Sequence, residues 1–336
     1  MLGLALLGKI GMRVLSGIQP TGELHIGNYF GAIKTWVELQ DKNECIFFIA
    51  DFHAMTETFS PYALKKNIIK TAINYLALGV DPKRCIIFQQ SRVPGHTELA
   101  WILNCLTPLG ELERMTQFKE KAEIFRKNIN AGLLTYPVLQ TADILLYQAD
   151  SVPVGKDQEQ HIELARTIAR KFNNLFGETF KTPEALILES RGKIMSLNNP
   201  LKKMSKSLGP ESYLGIFEPP KNIKDKIKRA VTDPGKEIKR SEEKPGISNL
   251  INIYSLFSDK TVEEIEEEFK GRGYEYFKDS LIGLVLKKLE PFQRKRKEFE
   301  HRPRYIEKIL EEGAKRAKII ARETMEEVKE RVGIDI

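Results

Sequence analysis

Cysteine is scarce in this sequence. Three occur in 336 residues, Cys45, Cys85 and Cys105, and no two form a C-x-x-C pair. That spacing argues against a paired-cysteine zinc site and against a disulfide framework, so no protein-bound metal is expected. Reduced thiols fit, and with them a cytoplasmic location. Long apolar runs are missing as well. None approaches the roughly 18 residues of a membrane helix, so no membrane partner is expected. Met1–Gly11 is apolar with one lysine, but it is very short, and strand-like Arg13-Val14-Leu15-Ser16 follows at once. It reads as an extension (1–11) before the fold rather than as a secretory signal. A strong excess of one charge is also absent. The net charge of +7 permits an acidic partner such as RNA without requiring one.

What is present is an ordinary globular balance, 41% hydrophobic and 29% charged, in a chain long enough for two domains. From Met12 onward strand and helix patterns alternate. Val14-Leu15-Ser16, Cys45–Ala50, Cys85–Phe88 and Ser151–Val154 read as strands. Continuous apolar runs such as Cys45–Ala50 suit strands buried on both faces of a parallel sheet. Helices are expected over Tyr29–Gln40, from Ser60-Pro61 to about Leu78 with Gly79 as the stop, and from Gln158 to Phe176. The fold class is therefore α/β, a Rossmann-like parallel-sheet domain over 12–207, with a helical connecting segment near 105–135. An all-helical domain is expected over 208–336. There, Tyr305, Ile306, Ile309, Leu310, Gly313, Ala314, Ala317, Ile320, Ala321, Thr324, Met325 and Val328 share one helix face, as in a packed domain helix.

Ligands in parallel sheets sit beyond the carboxyl ends of strands. Those positions hold Gly17-Ile18-Gln19, Asp51-Phe52-His53, Gln89-Gln90-Ser91 and Gly155-Lys156-Asp157-Gln158. The first opens Ser16–Asn28, a strand, a glycine-rich loop and a helix start. Glycine lets a phosphate approach the backbone, and a helix start offers unpaired N–H groups to an anion. His25 and Asn28 add neutral donors, and Gly27 leaves room for a nucleoside. No G-K-[ST] and no G-x-G-x-x-G occur here, so neither a P-loop nor a nicotinamide cofactor is indicated. A second cationic loop, Lys202-Lys203-Met204-Ser205-Lys206-Ser207, suits polyphosphate. Between them, a helix is expected to start at Pro137 and to carry Gln140 and Asp143, with Tyr136 beside its start. Asp143 stands among Ala142, Ile144, Leu145 and Leu146, and a carboxylate in such a setting needs a partner.

These strings together resemble the class I aminoacyl-tRNA synthetases. His25-Ile26-Gly27-Asn28 is similar to their HIGH signature, and Lys203–Ser207 reads KMSKS letter for letter. The resemblance is nearest to the bacterial tryptophan branch, through Ser16–Asn28, Gly110–Lys121, Ala131–Tyr147, Pro153–Leu164 and Pro245–Tyr254. It implies ATP-dependent activation of L-tryptophan and transfer to tRNA(Trp) by a homodimer, with Mg²⁺ arriving on ATP. It implies that Gln19, Pro20, Thr21, His25, Gly27, Asn28, Gly155, Lys156, Asp157, Ile194 and Lys203-Met204-Ser205-Lys206-Ser207 bind ATP. Lys203, Lys206, Lys121 and His25 become the catalytic set. Asp143 becomes the acceptor for the indole N–H, with Tyr136, Gln158, His53 and Gly17 around the amino acid. The basic stretches Lys221–Arg229 and Arg294–Lys297 are compatible with tRNA phosphates. Leu15 and Gln140 depart from residues common in relatives, which leaves the side walls of the indole pocket open. The competing readings are the tyrosine branch, a small nucleotidyltransferase and a non-catalytic RNA-binding relative. The blocks at Glu111–Lys121 and Pro245–Tyr254 and the complete lysine loop argue against them.

Overall fold

The computed structural model describes residues 11–124, 129–187 and 193–335. Of the expected extension 1–11, all but Gly11 lies outside the described residues. The strands are β1 (Arg13–Ile18), β2 (Glu44–Ile49), β3 (Cys85–Gln89), β4 (Ser151–Val154) and β5 (Glu184–Ile187). The longer helices are α1 (Pro61–Ala77), α2 (Gly95–Asn104), α3 (Ala131–Leu145), α4 (Glu159–Phe176), α5 (Pro220–Arg229), α6 (Pro245–Ser258), α7 (Tyr274–Glu300) and α8 (Pro303–Val332). The chain groups into two compact units: Met1–Gly22, Thr35–Leu188 and Arg302–Ile336 form one, Glu23–Lys34 and Glu189–His301 the other. This grouping differs from the expected division at 207/208. The lysine loop and the His25 segment go with the helical unit, and α8 goes with the sheet unit.

In the sheet unit the strands run parallel in the order β3-β2-β1-β4-β5. The α/β expectation holds. β2 and β3 are buried along nearly their whole length, as their unbroken apolar runs require. Trp36 stacks on Phe47 at 4.5 Å, with Tyr75 of α1 edge-on at 5.3 Å. Ser60 caps α1 by accepting from the Ala63 N–H, and Gly79 follows with φ of +106°. Two strands are longer than expected: β1 continues through Gly17 and Ile18, and β3 includes Gln89. The helix expected from Pro137 starts six residues earlier, at Ala131, with Pro137 inside it. Asn130 supplies the cap by accepting from the Leu133 N–H at 2.9 Å. Proline at a first helical position and proline inside a helix leave the same local signature, and the asparagine decides between them.

The apolar face expected along α8 is buried from Ile306 to Val328 except at its margins, where Ile309 and Ile320 are half-buried and Tyr305 is exposed. It lies against β3, which is an edge strand. Arg316 donates to the Cys85 carbonyl at 3.1 Å, and Gly313 meets the backbone of Ile87. Residues two apart on a strand turn their polar groups the same way, so α8 covers the open side of the sheet. The helical unit is built from α5, α6 and α7 around Ile223, Ile227, Ile247, Leu250, Phe277 and Leu281.

A Cβ on Gly313 would overlap the Ile87 carbonyl oxygen. Gly313→Ala should therefore destabilise the protein by about 2–3 kcal/mol. Urea unfolding followed by circular dichroism measures this, and an unchanged midpoint would contradict the close packing.

Candidate functional site

In the helical unit the His25 segment is joined through the backbone to residues 214–216. The Ile26 N–H donates to the Leu214 carbonyl at 3.0 Å, and the Ile216 N–H donates to the Leu24 carbonyl at 3.0 Å. Leu24 and Ile26 are buried, and Phe30 packs edge-on against Phe257 of α6 at 4.9 Å. The His25 segment is thereby held beside the chain that follows the lysine loop. Its helix opens as Ile26–Asn28, widens to π-helical turns over Tyr29–Ile33, and continues through Lys34–Leu39.

His25 is buried, and its Nδ1 has no partner among the described residues. A Cβ on Gly27 would come within 2.9 Å of that ring, so glycine makes the ring position possible. The Asn28 side-chain oxygen accepts from the His25 backbone N–H at 3.0 Å. That bond leaves the Asn28 amide NH₂ as the outward donor. In the lysine loop, buried Met204 is the anchor. Its N–H donates to the Ile194 carbonyl at 3.0 Å, and the Ser196 N–H donates to the Lys202 carbonyl at 2.8 Å. Asn249 of α6 grips Met195 on both sides, at 2.9 Å each. The Ser205 side chain accepts from the Ser207 N–H at 3.3 Å, and the buried Ser212 hydroxyl reaches the Ser205 carbonyl at 2.6 Å. Lys203 is exposed and Lys206 half-buried. Burial first, then the charges of Lys206 and Lys203, lower the pKa of His25 to about 4. The imidazole is therefore neutral at pH 7, able to give or take a hydrogen bond without carrying a charge.

The sheet unit carries the second group of expected residues. Strand order reverses between β1 and β4, which makes their carboxyl ends the ligand crevice. Gly17 is exposed there, and a Cβ on it would strike the Phe48 ring at 2.6 Å. Gln19-Pro20-Thr21 follows as a tight turn, with the Thr21 N–H donating to the Gln19 carbonyl at 2.8 Å. After β4, Lys156–Gln158 forms one turn of 3₁₀ helix. The Asp157 carboxylate lies over Gly155, where a Cβ would come within 2.5 Å of it. Tyr136 lies between two histidines. Its hydroxyl meets His161 Nε2 at 3.0 Å, and its ring stands edge-on to His53 at 6.3 Å. Gln158 heads α4, one turn before His161. Leu15 is buried in the core that includes Val138 and Ala142, while Gln140 is half-buried. The Lys121 side chain lies outside the described residues.

Asp143 is the most demanding group. It is 1% exposed. His53 Nε2 lies 2.7 Å from its Oδ2, while His96 Nδ1 and Gln90 Nε2 each lie 2.7 Å from its Oδ1. Burial alone would raise its pKa, but the two histidines outweigh burial and hold the carboxyl at about 2. The expected partner for Asp143 therefore exists, and one of its three partners is His53 itself. Sequence reasoning singled out neither His96 nor Tyr147 of this cluster, nor His161 beside Tyr136. Two of the chain's five histidines meet on one buried acid, a signal that needs the third dimension.

The basic stretches divide. Lys221, Lys224, Lys228 and Arg229 are exposed, as are Arg294, Lys295 and Lys297. Lys226 instead is buried and paired with Glu218 at 2.6 Å, and Arg296 pairs with Glu23 at 2.9 Å. Those two cations are engaged by carboxylates within the helical unit.

The depressed His25 pKa is testable by NMR. Its ring Cε1 proton should stay at the neutral position from pH 8 down to 5. Lys206→Ala should move the midpoint upward from about 4, because one repelling charge is gone. A midpoint near 6.5 in the unaltered protein would contradict the burial and the lysine proximity.

Residues 9–289 match the family described as tRNA synthetases class I (W and Y). The chain is 49% identical to a tryptophan–tRNA ligase from Clostridium tetani (strain Massachusetts / E88) over 321 residues, 95% of each chain. It superposes on the crystal structure of tryptophanyl-tRNA synthetase from Campylobacter jejuni complexed with ADP and tryptophan, with a TM-score of 0.85 and 41% identity, covering 96% of this chain and 100% of that one. It also resembles tryptophanyl-tRNA synthetase from Mycoplasma pneumoniae, with a TM-score of 0.87 and 33% identity over 97% of this chain and 99% of that one. With its parallel sheet, its two signatures in one unit and these relatives along nearly its whole length, the chain belongs to the class I tRNA synthetases of the tryptophan and tyrosine family.

Proposed function

We propose that this chain is a tryptophan–tRNA ligase, which activates L-tryptophan with ATP and transfers it to tRNA(Trp). The observation that carries this reading is 49% identity, over 95% of both chains, to an enzyme of that name. The site chemistry agrees with it. Indole is a large apolar ring with one N–H donor. A buried carboxylate accepts that donor, and phenylalanine, which has none, leaves the acceptor unpaired. Sites of this kind discriminate by roughly 10⁴–10⁵. Asp143 takes that role, with Gly17, His53, Tyr136 and Gln158 around the amino acid.

In the first step the tryptophan carboxylate attacks the α-phosphorus of ATP and pyrophosphate leaves. The carboxylate is already ionised at neutral pH, so no general base is needed. Charge develops instead on the phosphorus centre and on the leaving group. Lys203 and Lys206 stabilise it, with Lys121, His25 and Asn28 assisting and Mg²⁺ bound to the nucleotide. Gly155 and Asp157 take the ribose, Ile194 meets adenine through its backbone, and Gln19, Pro20, Thr21, Gly27, Lys156, Met204, Ser205 and Ser207 complete the ATP contacts. In the second step a terminal ribose hydroxyl of the tRNA attacks the adenylate carbonyl and AMP leaves. The exposed lysines of α5 are compatible with tRNA phosphates. A cytoplasmic homodimer is the assembly this reading entails.

ATP–pyrophosphate exchange tests it directly. Among the twenty amino acids tryptophan should support exchange, and tyrosine should not. Exchange with tyrosine alone would move the chain to the tyrosine branch. Lys206→Ala should lower kcat by about 10²–10³ and leave the KM for ATP nearly unchanged. A change confined to the KM for ATP would remove the transition-state role from this lysine.

A further inference from the structure

The donors around Asp143 are unequally divided between its two oxygens. Oδ1 receives two, from Gln90 Nε2 and His96 Nδ1, each at 2.7 Å. Oδ2 receives one, from His53 Nε2 at 2.7 Å. An ionised carboxylate has about four acceptor positions, two on each oxygen. Oδ1 is therefore full, and Oδ2 keeps one position open. His96 is itself braced, because its far nitrogen, Nε2, meets the Tyr147 hydroxyl at 2.9 Å. Gln90, His96 and Tyr147 are all fully buried. The His96 ring is enclosed by Phe48 and Phe88, with centroids at 5.8 and 5.9 Å.

We propose that His96, braced by Tyr147 and acting with Gln90, is a positioning residue that saturates Oδ1 of Asp143 and confines recognition of the substrate's ring N–H to the single open position on Oδ2. The inference rests on the tryptophan reading above and adds what aims the acceptor. A carboxylate turns readily about its last bond, since that torsion is broad. Freed of one donor, it presents acceptor positions in several directions or takes up water. Held by three donors, it accepts a fourth from one direction only. A ring without an N–H then leaves a dry acceptor position unpaired, and binding pays the whole of that desolvation.

The test compares tryptophan with β-(3-benzothienyl)alanine, in which sulfur replaces the ring N–H, in pyrophosphate exchange. In His96→Leu the KM for tryptophan should rise about 10- to 100-fold. kcat should change far less, as should the KM for the sulfur analogue, so the selectivity between the two rings falls. His96→Asn, whose amide keeps a donor near the Nδ1 position, should restore most of the selectivity. Tyr147→Phe removes only a hydroxyl and should show the same split on a smaller scale. It decides the question if His96→Leu does not fold. Parallel losses on both substrates, or an unchanged selectivity in a folded His96→Leu or, where that variant does not fold, in Tyr147→Phe, would overturn the positioning role. Absence of exchange with tryptophan by the unaltered protein would overturn the underlying reading, and this inference with it.

Discussion

An ionised carboxylate removed from water must be given donors, or it takes a proton. Asp143 imposes that demand at the centre of the sheet unit, and four separate elements answer it. His53 comes from the turn after β2, Gln90 from the turn after β3, His96 from α2, and Tyr147, one bond further out, from the end of α3. Moving any of these elements would orphan a polar group in an apolar core. The same bonds that make the acid tolerable therefore fix where the strand ends and helices stand around it. In this unit, the arrangement that holds the core together is also the one proposed to hold the amino acid.

The helical unit handles charge the opposite way. The lysines of its loop stay partly in water, and the buried group beside them, His25, is neutral because burial and the lysine charges disfavour a third positive charge. A polyphosphate reverses that field. Negative charge near Lys203 and Lys206 cancels their repulsion and makes a protonated imidazole less costly. The proposed nucleotide site thus has a field that a bound polyphosphate would change.

Most of the sheet was legible in the sequence because its strands are continuous apolar runs, and such runs have few other stable homes. Cys45–Ala50 and Cys85–Phe88 are of this kind. The residues proposed to meet phosphate stand out because glycine, histidine and lysine occur there in short local strings. Asp143 announced itself by its apolar neighbours, since the cost of burying its charge does not depend on knowing the fold. Its partners were harder to see. His96 looks like any helical residue until α2 is packed beside α3, and the start of α3 at Asn130 was hidden by the more conspicuous Pro137. The division into units was the least legible part. Backbone pairing of residues 24–26 with 214–216, and the return of α8 to β3, are long-range facts with no local pattern.

The position of α8 in the chain also bears on how the protein is made. β3 is one of the sheet's two edge strands, and the helix that covers it is the last of the described elements. Synthesis proceeds at about 5–20 residues per second, so β3 waits on the order of tens of seconds for its cover. During that time the carbonyl of Cys85 and the backbone of Ile87 lie open on an apolar strand. Such an edge is a template for pairing with another chain. The nascent protein therefore depends on whatever shields unfinished chains at the ribosome, and crowding of ribosomes on one message is the condition that most exposes it to misassembly.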